Sequence, residues 1–214
     1  MSKNKVIIFD CDGTLLDTFL LIEKTVYKTF ELMLPNYPLT KQEANDFFGP
    51  ALDESFAKYA KTKEEVDALV ACYRKYNEDL MANYVVAYDG ILELLQVLKQ
   101  RGYKLAIVSN KVTPAVIMGL EICKINEYFD LVVGLEKLKV PKPDPDGIYQ
   151  VLKHFNTTEA IMIGDTIFDI KTGQNANIDT IGVTWCKTTK ETFIKNKATY
   201  VVDEPLEILK IIGE

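Results

Sequence analysis

The pattern of apolar and polar positions changes period several times along this chain. Val6-Ile7-Ile8-Phe9 is an unbroken apolar run of the kind that forms a strand buried on both faces. It stops abruptly at Asp10-Cys11-Asp12-Gly13. After Asp17 the period becomes helical, with Phe19, Ile22, Val26, Phe30 and Met33 on one stripe, and Pro35 and Pro38 end it. Thr40 with Glu43 predicts a capping box for the next helix. From Ala51 to Met81 the chain is rich in Ala, Lys, Glu, Leu and Tyr and lacks Gly and Pro. Residues 17–82 are therefore predicted to form an all-helical insert.

From about Val85 strands and helices alternate. Ile91, Leu94, Leu95 and Leu98 make one helical stripe, with Gly102 as its C-terminal cap. Strands are predicted at Leu105–Val108, Leu131–Val133, Ala160–Ile163, Thr180–Val183 and Thr199–Val202. Thr113-Pro114 and Asp144-Pro145 read as helix starts, the Thr and the Asp as N-caps with proline at the first helical position. A terminal helix is expected from Pro205. This order predicts an α/β fold, a Rossmann-like doubly wound parallel sheet with helices on both faces. Residues 1–16 and 83–214 would form the α/β core, and 17–82 a small helical domain inserted after the first strand. The two junctions, near Asp17 and Asn83, are expected beside the carboxyl edge of the sheet as a two-stranded hinge.

Composition narrows the partners. The 214 residues are 48% hydrophobic, enough for one sizeable core and a smaller satellite. A net charge of −6 argues against a nucleic-acid backbone as partner, though a local field in a cleft can still favour a small anion. Met1-Ser2-Lys3-Asn4-Lys5 leads into too short an apolar stretch for a secretory signal, and no later run spans a bilayer. Cys11, Cys72, Cys123 and Cys186 are scattered, without zinc or redox spacing, which suits free thiols in the cytoplasm. Cys11 reads as a small residue packed under the sheet end, since a cysteine-based phosphatase needs arginine where Asp17 stands. Arg74 reads as a solvated helix residue and His154, the sole histidine, as structural or exposed, so no histidine-based triad is expected.

Candidate chemistry gathers at strand ends. Asp10 and Asp12 follow the first strand, Ser109-Asn110 another, and Gly164-Asp165, with Asp169 beyond it, a third; Lys142 lies in Val140-Pro141-Lys142-Pro143-Asp144. In a parallel sheet these ends share one rim, where ligands bind. Acids placed together there repel one another and call for a cation, and a divalent metal takes oxygen ligands. Each position alone also has an ordinary explanation. Asp10 and Asp12 could cap a turn, with Gly13 supplying positive φ. Ser109 could cap another turn and Lys142 could be solvated. Asp165 could be an N-cap, and Asp169 a surface acid.

Taken together, and in this order, these residues resemble the four motifs of the haloacid dehalogenase superfamily, over essentially the whole chain. The resemblance implies that Asp10 is a nucleophile that forms an aspartyl-phosphate. Asp12 would be the general acid and then the general base, a role typically worth 10²–10⁴-fold. Asp10, Asp165 and the backbone carbonyl of Asp12 would bind Mg²⁺, and Asp169 would orient water around it. Ser109, the Asn110 amide and Lys142 would hold the phosphoryl group. A phosphate dianion about 3 Å from a carboxylate is opposed by roughly 11 kcal/mol at an effective dielectric of 20, so concentrated positive charge is required. The dehalogenase branch lacks the second acid, so Asp12 points to phosphate chemistry.

The helical insert is similar to the cap of the phosphoglycolate phosphatase and pyrophosphatase-like branch at Phe47-Phe48-Gly49-Pro50 and Leu52-x-x-Ser55-Phe56. Phe47 and Phe48 also suit plain core packing. The expectation is a cytoplasmic, monomeric Mg²⁺-dependent phosphatase acting on a small phosphorylated metabolite, with no nucleic-acid or membrane partner. The rival on the same scaffold is a phosphosugar mutase of the β-phosphoglucomutase type. A non-enzymatic phospho-switch of the receiver type is disfavoured, because a receiver's acceptor follows its third strand and it has no helical insert.

Overall fold

A computed structural model describes residues 5–213. The targeting expectation on Met1–Asn4 lies outside them. The chain divides into two compact units, Met1–Asp17 with Val86–Glu214, and Thr18–Val85.

The first unit is a six-stranded parallel sheet. Its strands are β1 (Val6–Phe9), β4 (Lys104–Val108), β5 (Leu131–Val133), β6 (Ala160–Gly164), β7 (Asp179–Val183) and β8 (Tyr200–Val202), in the order β5-β4-β1-β6-β7-β8. A separate antiparallel pair, β2 (Leu16–Asp17) with β3 (Val86–Ala87), joins the two crossings of the chain. The helices are α5 (Ile91–Gln100), α6 (Thr113–Ile122), α7 (Asp146–Phe155), α8 (Ile167–Asn175), α9 (Lys190–Lys195) and α10 (Ile208–Ile212).

Every residue of β1 is buried, as its unbroken apolar run requires of a strand covered on both faces. One face, with Val6, Ile8, Ala106, Val108 and Met162, packs on Ile148 and Val151 of α7. The opposite face carries Ile7, Phe9, Ile107 and Ile163, all fully buried. Gly102 follows α5 at φ 84° and donates to the Lys99 carbonyl at 2.9 Å, the left-handed exit expected there.

Two helix starts differ from the expectation. Thr113 lies inside α6, and Val112 is the N-cap. The Thr113 N–H is satisfied from a distance by Glu136 Oε2 at 2.9 Å, while its hydroxyl accepts from Gly134 N–H at 3.1 Å. Asp144 lies one residue further out than expected; Pro145 is the N-cap of α7, and Asp144 Oδ1 accepts from the Asp146 N–H at 2.9 Å. In α6 the proline sits in the first turn and a distant side chain satisfies a free donor; in α7 Asp144 itself does so from just outside the helix.

The second unit contains α1 (Phe19–Met33), α2 (Lys41–Asn45), α3 (Leu52–Phe56) and α4 (Lys63–Tyr84). Thr40 and Glu43 form the expected capping box. The core joins Ile22, Val26, Phe30, Phe47, Phe56, Val66, Leu69 and Tyr73. Its rings meet mainly edge to face, as at Phe47 and Phe56, whose centroids lie 4.8 Å apart. Met33 departs from the expected stripe and is exposed, while Thr25 and Thr29 are buried in α1. The threonines are tolerated because their hydroxyls donate to the carbonyls one turn back, Leu21 at 2.7 Å and Thr25 at 2.8 Å. Helix α4 continues to Tyr84, past the expected end of the insert at residue 82. Among the described residues no helix is long and apolar enough to cross a membrane.

Candidate active site

Strand register assembles the site. Phe9 lies level with Ile107 on one side and Ile163 on the other. Asp10, Ser109 and Asp165 therefore leave the sheet within one residue of the same level. The Asp10 N–H still donates to the Ile163 carbonyl at 2.8 Å, which holds it in the ladder. The chain runs from β1 outward through β4 and β5, then returns to the other side in β6, β7 and β8. That reversal makes the carboxyl end of β1 a topological switch point, the usual ligand position in an open α/β sheet.

Two glycines permit the close approach. Gly13 has φ +79°, and a Cβ there would collide with the Asp165 carboxylate; a Cβ on Gly164 would collide with Asp169. Thr14 Oγ1 donates to Asp165 Oδ1 at 3.0 Å, and Trp185 Nε1 donates to the Thr14 carbonyl at 3.1 Å. Asp165 is not the N-cap of α8. Thr166 is, and Asp169 completes its capping box, with Oδ2 accepting from the Thr166 N–H at 2.9 Å and its hydroxyl at 2.7 Å. Asp169 is fully buried rather than a surface acid.

Lys142 is buried, not solvated. Asn110 clamps its backbone from both sides: the Lys142 N–H donates to Asn110 Oδ1 at 2.8 Å, and Asn110 Nδ2 donates to the Lys142 carbonyl at 3.2 Å. The ammonium lies 2.6 Å from Asp169 Oδ1 and 2.8 Å from Asp10 Oδ1. The ammonium thus sits between the two carboxylates. Burial opposes the Lys142 charge, but Asp10 and Asp169 outweigh it and raise its pKa.

Asp10, Asp165 and Asp169 are all buried, with one carboxylate oxygen of each within 4.8 Å of the others. Burial pushes Asp10 up to about 6, with Asp169 and Asp12 adding and Lys142 opposing. Burial, Asp169 and Asp10 raise Asp165 well above the carboxylate range. Three buried carboxyl groups against one ammonium form a site that a further cation would complete. The donors are all hard oxygens, so Mg²⁺ fits them.

Asp12 lies outside that carboxylate group. Its Oδ1 instead accepts from Lys111 Nζ at 3.0 Å. Ser109 is buried, and its Oγ accepts from the Lys111 N–H at 3.2 Å. Cys11 is fully buried and His154 and Arg74 are exposed, as expected. Sequence reasoning passed over Lys111, although it directly continues Ser109-Asn110. It also passed over Thr14, Trp185 and Cys186. The Cys186 thiol, hydrogen-bonded to Asp165 and Tyr88, is pushed up to about 12 by burial, with Asp165 adding.

A parallel switch-point sheet with buried acids and a clamped lysine at its rim defines a class, and the comparisons with known proteins agree. Residues 7–183 match the haloacid dehalogenase-like hydrolase family, and the chain belongs to it. It is 35% identical over 214 residues to pyrophosphatase PpaX of Listeria monocytogenes serotype 4b, covering 99% of this chain and 98% of that one. Among solved structures, a predicted phosphatase from Clostridium acetobutylicum superimposes with a TM-score of 0.86 at 31% identity, covering 98% of each chain. The haloacid dehalogenase-like hydrolase SP0104 from Streptococcus pneumoniae gives 0.85 at 28% identity, covering 99% of this chain and 100% of that one.

Proposed function

We propose that this hydrolase is a Mg²⁺-dependent phosphatase that cleaves a small phosphorylated metabolite through an aspartyl-phosphate on Asp10. The observation that carries the reading is the buried group of Asp10, Asp165 and Asp169 joined to Lys142. Carboxylates crowded for structure alone gain little, whereas a carboxylate nucleophile flanked by a lysine and by acids able to hold a cation suits phosphoryl transfer between two anions. The names of the Listeria and Clostridium relatives support phosphoryl chemistry. Pyrophosphate is the first substrate class to test and phosphoglycolate the second.

Asp10, Asp165 and the Asp12 backbone carbonyl would hold Mg²⁺, which when bound offsets the negative charge of the phosphoryl oxygens and polarises them. Asp169 engages Lys142 with one oxygen and Thr166 with the other, so its part is to aim the ammonium. A carboxylate oxygen of Asp10 attacks phosphorus while the bond to the leaving oxygen breaks, and Asp12 gives its proton to that oxygen. Water then attacks the aspartyl-phosphate, Asp12 takes its proton, and phosphate leaves with the Asp10 carboxylate restored. Lys142, the Ser109 hydroxyl and the Asn110 backbone amide bind the phosphoryl oxygens throughout.

Phosphate release over a panel of phosphorylated metabolites tests this reading. It predicts turnover of pyrophosphate or phosphoglycolate with Mg²⁺, lost in EDTA and restored by added Mg²⁺. Turnover indifferent to EDTA, or no release from any compound, contradicts it.

A further inference from the structure

Resting on that phosphatase reading, we propose that Lys111 determines leaving-group specificity, favouring substrates whose departing fragment is itself an anion, such as the second phosphate of a diphosphate. The site holds two lysines in different settings. Lys142 is deeply buried, its side chain 3% exposed, and it faces Asp10, where every substrate presents the same phosphoryl group. Lys111 pairs with Asp12 at 3.0 Å, and those side chains are 16% and 17% exposed, so this cation is less enclosed than Lys142.

Asp12 locates the leaving group. A general acid works within hydrogen-bond reach of the oxygen it protonates. An ammonium 3.0 Å from Asp12 therefore stands within about 6 Å of the departing oxygen. A charge at that range in a partly desolvated site discriminates an anionic fragment from a neutral one by roughly 10- to 100-fold. The ammonium has three donors, and the contact with Asp12 occupies one of them.

The backbone of Lys111 is held in place for this role. Its N–H donates to Ser109 Oγ at 3.2 Å, and its carbonyl accepts from the Leu135 N–H at 3.0 Å. Gly134 has no room for a Cβ, because the Lys111 carbonyl and Thr113 fill that space. Glu136 caps Thr113 two residues further on. The long side chain is thus anchored at its root, and its tip is held by Asp12.

The alternative is that Lys111 only aims Asp12, in which case its loss slows every substrate alike. Two experiments on the Mg²⁺-loaded protein separate these roles. In the first, kcat and KM are measured for wild type, Lys111→Met and Lys111→Arg on pyrophosphate and phosphoglycolate, which release anions, and on glycerol phosphate, which releases a neutral alcohol. Lys111→Met is expected to lower kcat/KM for the first two by about 10- to 100-fold more than for the third, chiefly through KM, with Lys111→Arg retaining most of the preference. In the second, calorimetry compares methylenediphosphonate with methylphosphonate. Lys111→Met should weaken the former by a similar factor and leave the latter unchanged. Equal losses across all substrates, or equal effects on both phosphonates, overturn the proposal. Absence of wild-type turnover on every compound instead refutes the phosphatase reading, and the calorimetric comparison then decides the role of Lys111 by itself.

Discussion

The two compact units bury different kinds of polar group. In the sheet unit, Asp10 and Asp165 at strand ends, Asp169 in α8 and Lys142 in the loop before α7 are all buried. In the helical unit the described buried polar residues are Thr18, Thr25, Thr29, Ser55 and Asn77, with no acid or base among them. Thr25 and Thr29 satisfy themselves on carbonyls one turn back, so they cost little and need no ligand. The buried charges of the sheet unit are only partly matched: burial raises both Asp10 and Asp165, and Lys142 compensates one end of the group. The helical unit thus resembles a region shaped by packing, whereas the sheet unit keeps an electrostatic strain that a ligand can relieve.

Substitutions can break this comparison. The largest effect is expected from Asp10→Asn, which removes the nucleophile and should lower phosphate release by on the order of 10⁴-fold or more while the chain stays folded. Comparable turnover after deamidation is excluded by mass spectrometry would contradict that role. Asp12→Ala should cost about 10²–10⁴-fold, and more for leaving groups of high pKa than for p-nitrophenolate. A flat dependence across a leaving-group series counts against its proton transfer. In the helical unit, Phe56→Ala deletes a fully buried ring and should cost about 3–5 kcal/mol of unfolding free energy by denaturant titration. A loss under about 1 kcal/mol would mean the packing there is looser than the ring contacts imply.

The smallest effect concerns pH. In metal-free protein, folding raises Asp10 from the ordinary carboxylate range to about 6, so ionising it disfavours the folded state. The penalty is absent below about pH 4, grows as pH rises to about 6, and is complete above that. Asp10→Asn removes it. The stability of the variant relative to wild type should therefore increase from pH 4 to pH 7, by on the order of a few kcal/mol. A difference that stays constant or shrinks over that range would show that burial does not strain Asp10.

Much of the sheet unit was legible because a buried parallel strand announces itself twice, by a continuous apolar run and by the polar residues where it stops. Val6–Phe9 ending at Asp10 and Ala160–Ile163 ending at Gly164-Asp165 are such cases. What was not legible depends on partners far away in sequence. Lys142 between prolines could by itself be solvated, and only the resemblance made it a phosphate ligand; the clamp on its backbone comes from Asn110, 32 positions earlier. Lys111 directly continues Ser109-Asn110, but its partner Asp12 is 99 positions away, so its pairing is invisible locally. Asp169 taken alone could be a surface helix acid, and only the resemblance set it beside a metal; its contacts with Thr166 are local, but the one with Lys142 comes from 27 positions earlier. In the helical unit, periodicity located α1 but misassigned its buried face at Met33, where hydrophobicity alone hides the self-satisfied threonines.

The account depends above all on Asp10 and Asp165 sharing one divalent cation. Mn²⁺ binding followed by electron paramagnetic resonance, in wild type and in Asp165→Asn, measures this without turnover. One saturable site in wild type, weakened at least about 10- to 100-fold in the variant, is the predicted result. Equal affinity in both proteins would contradict the account.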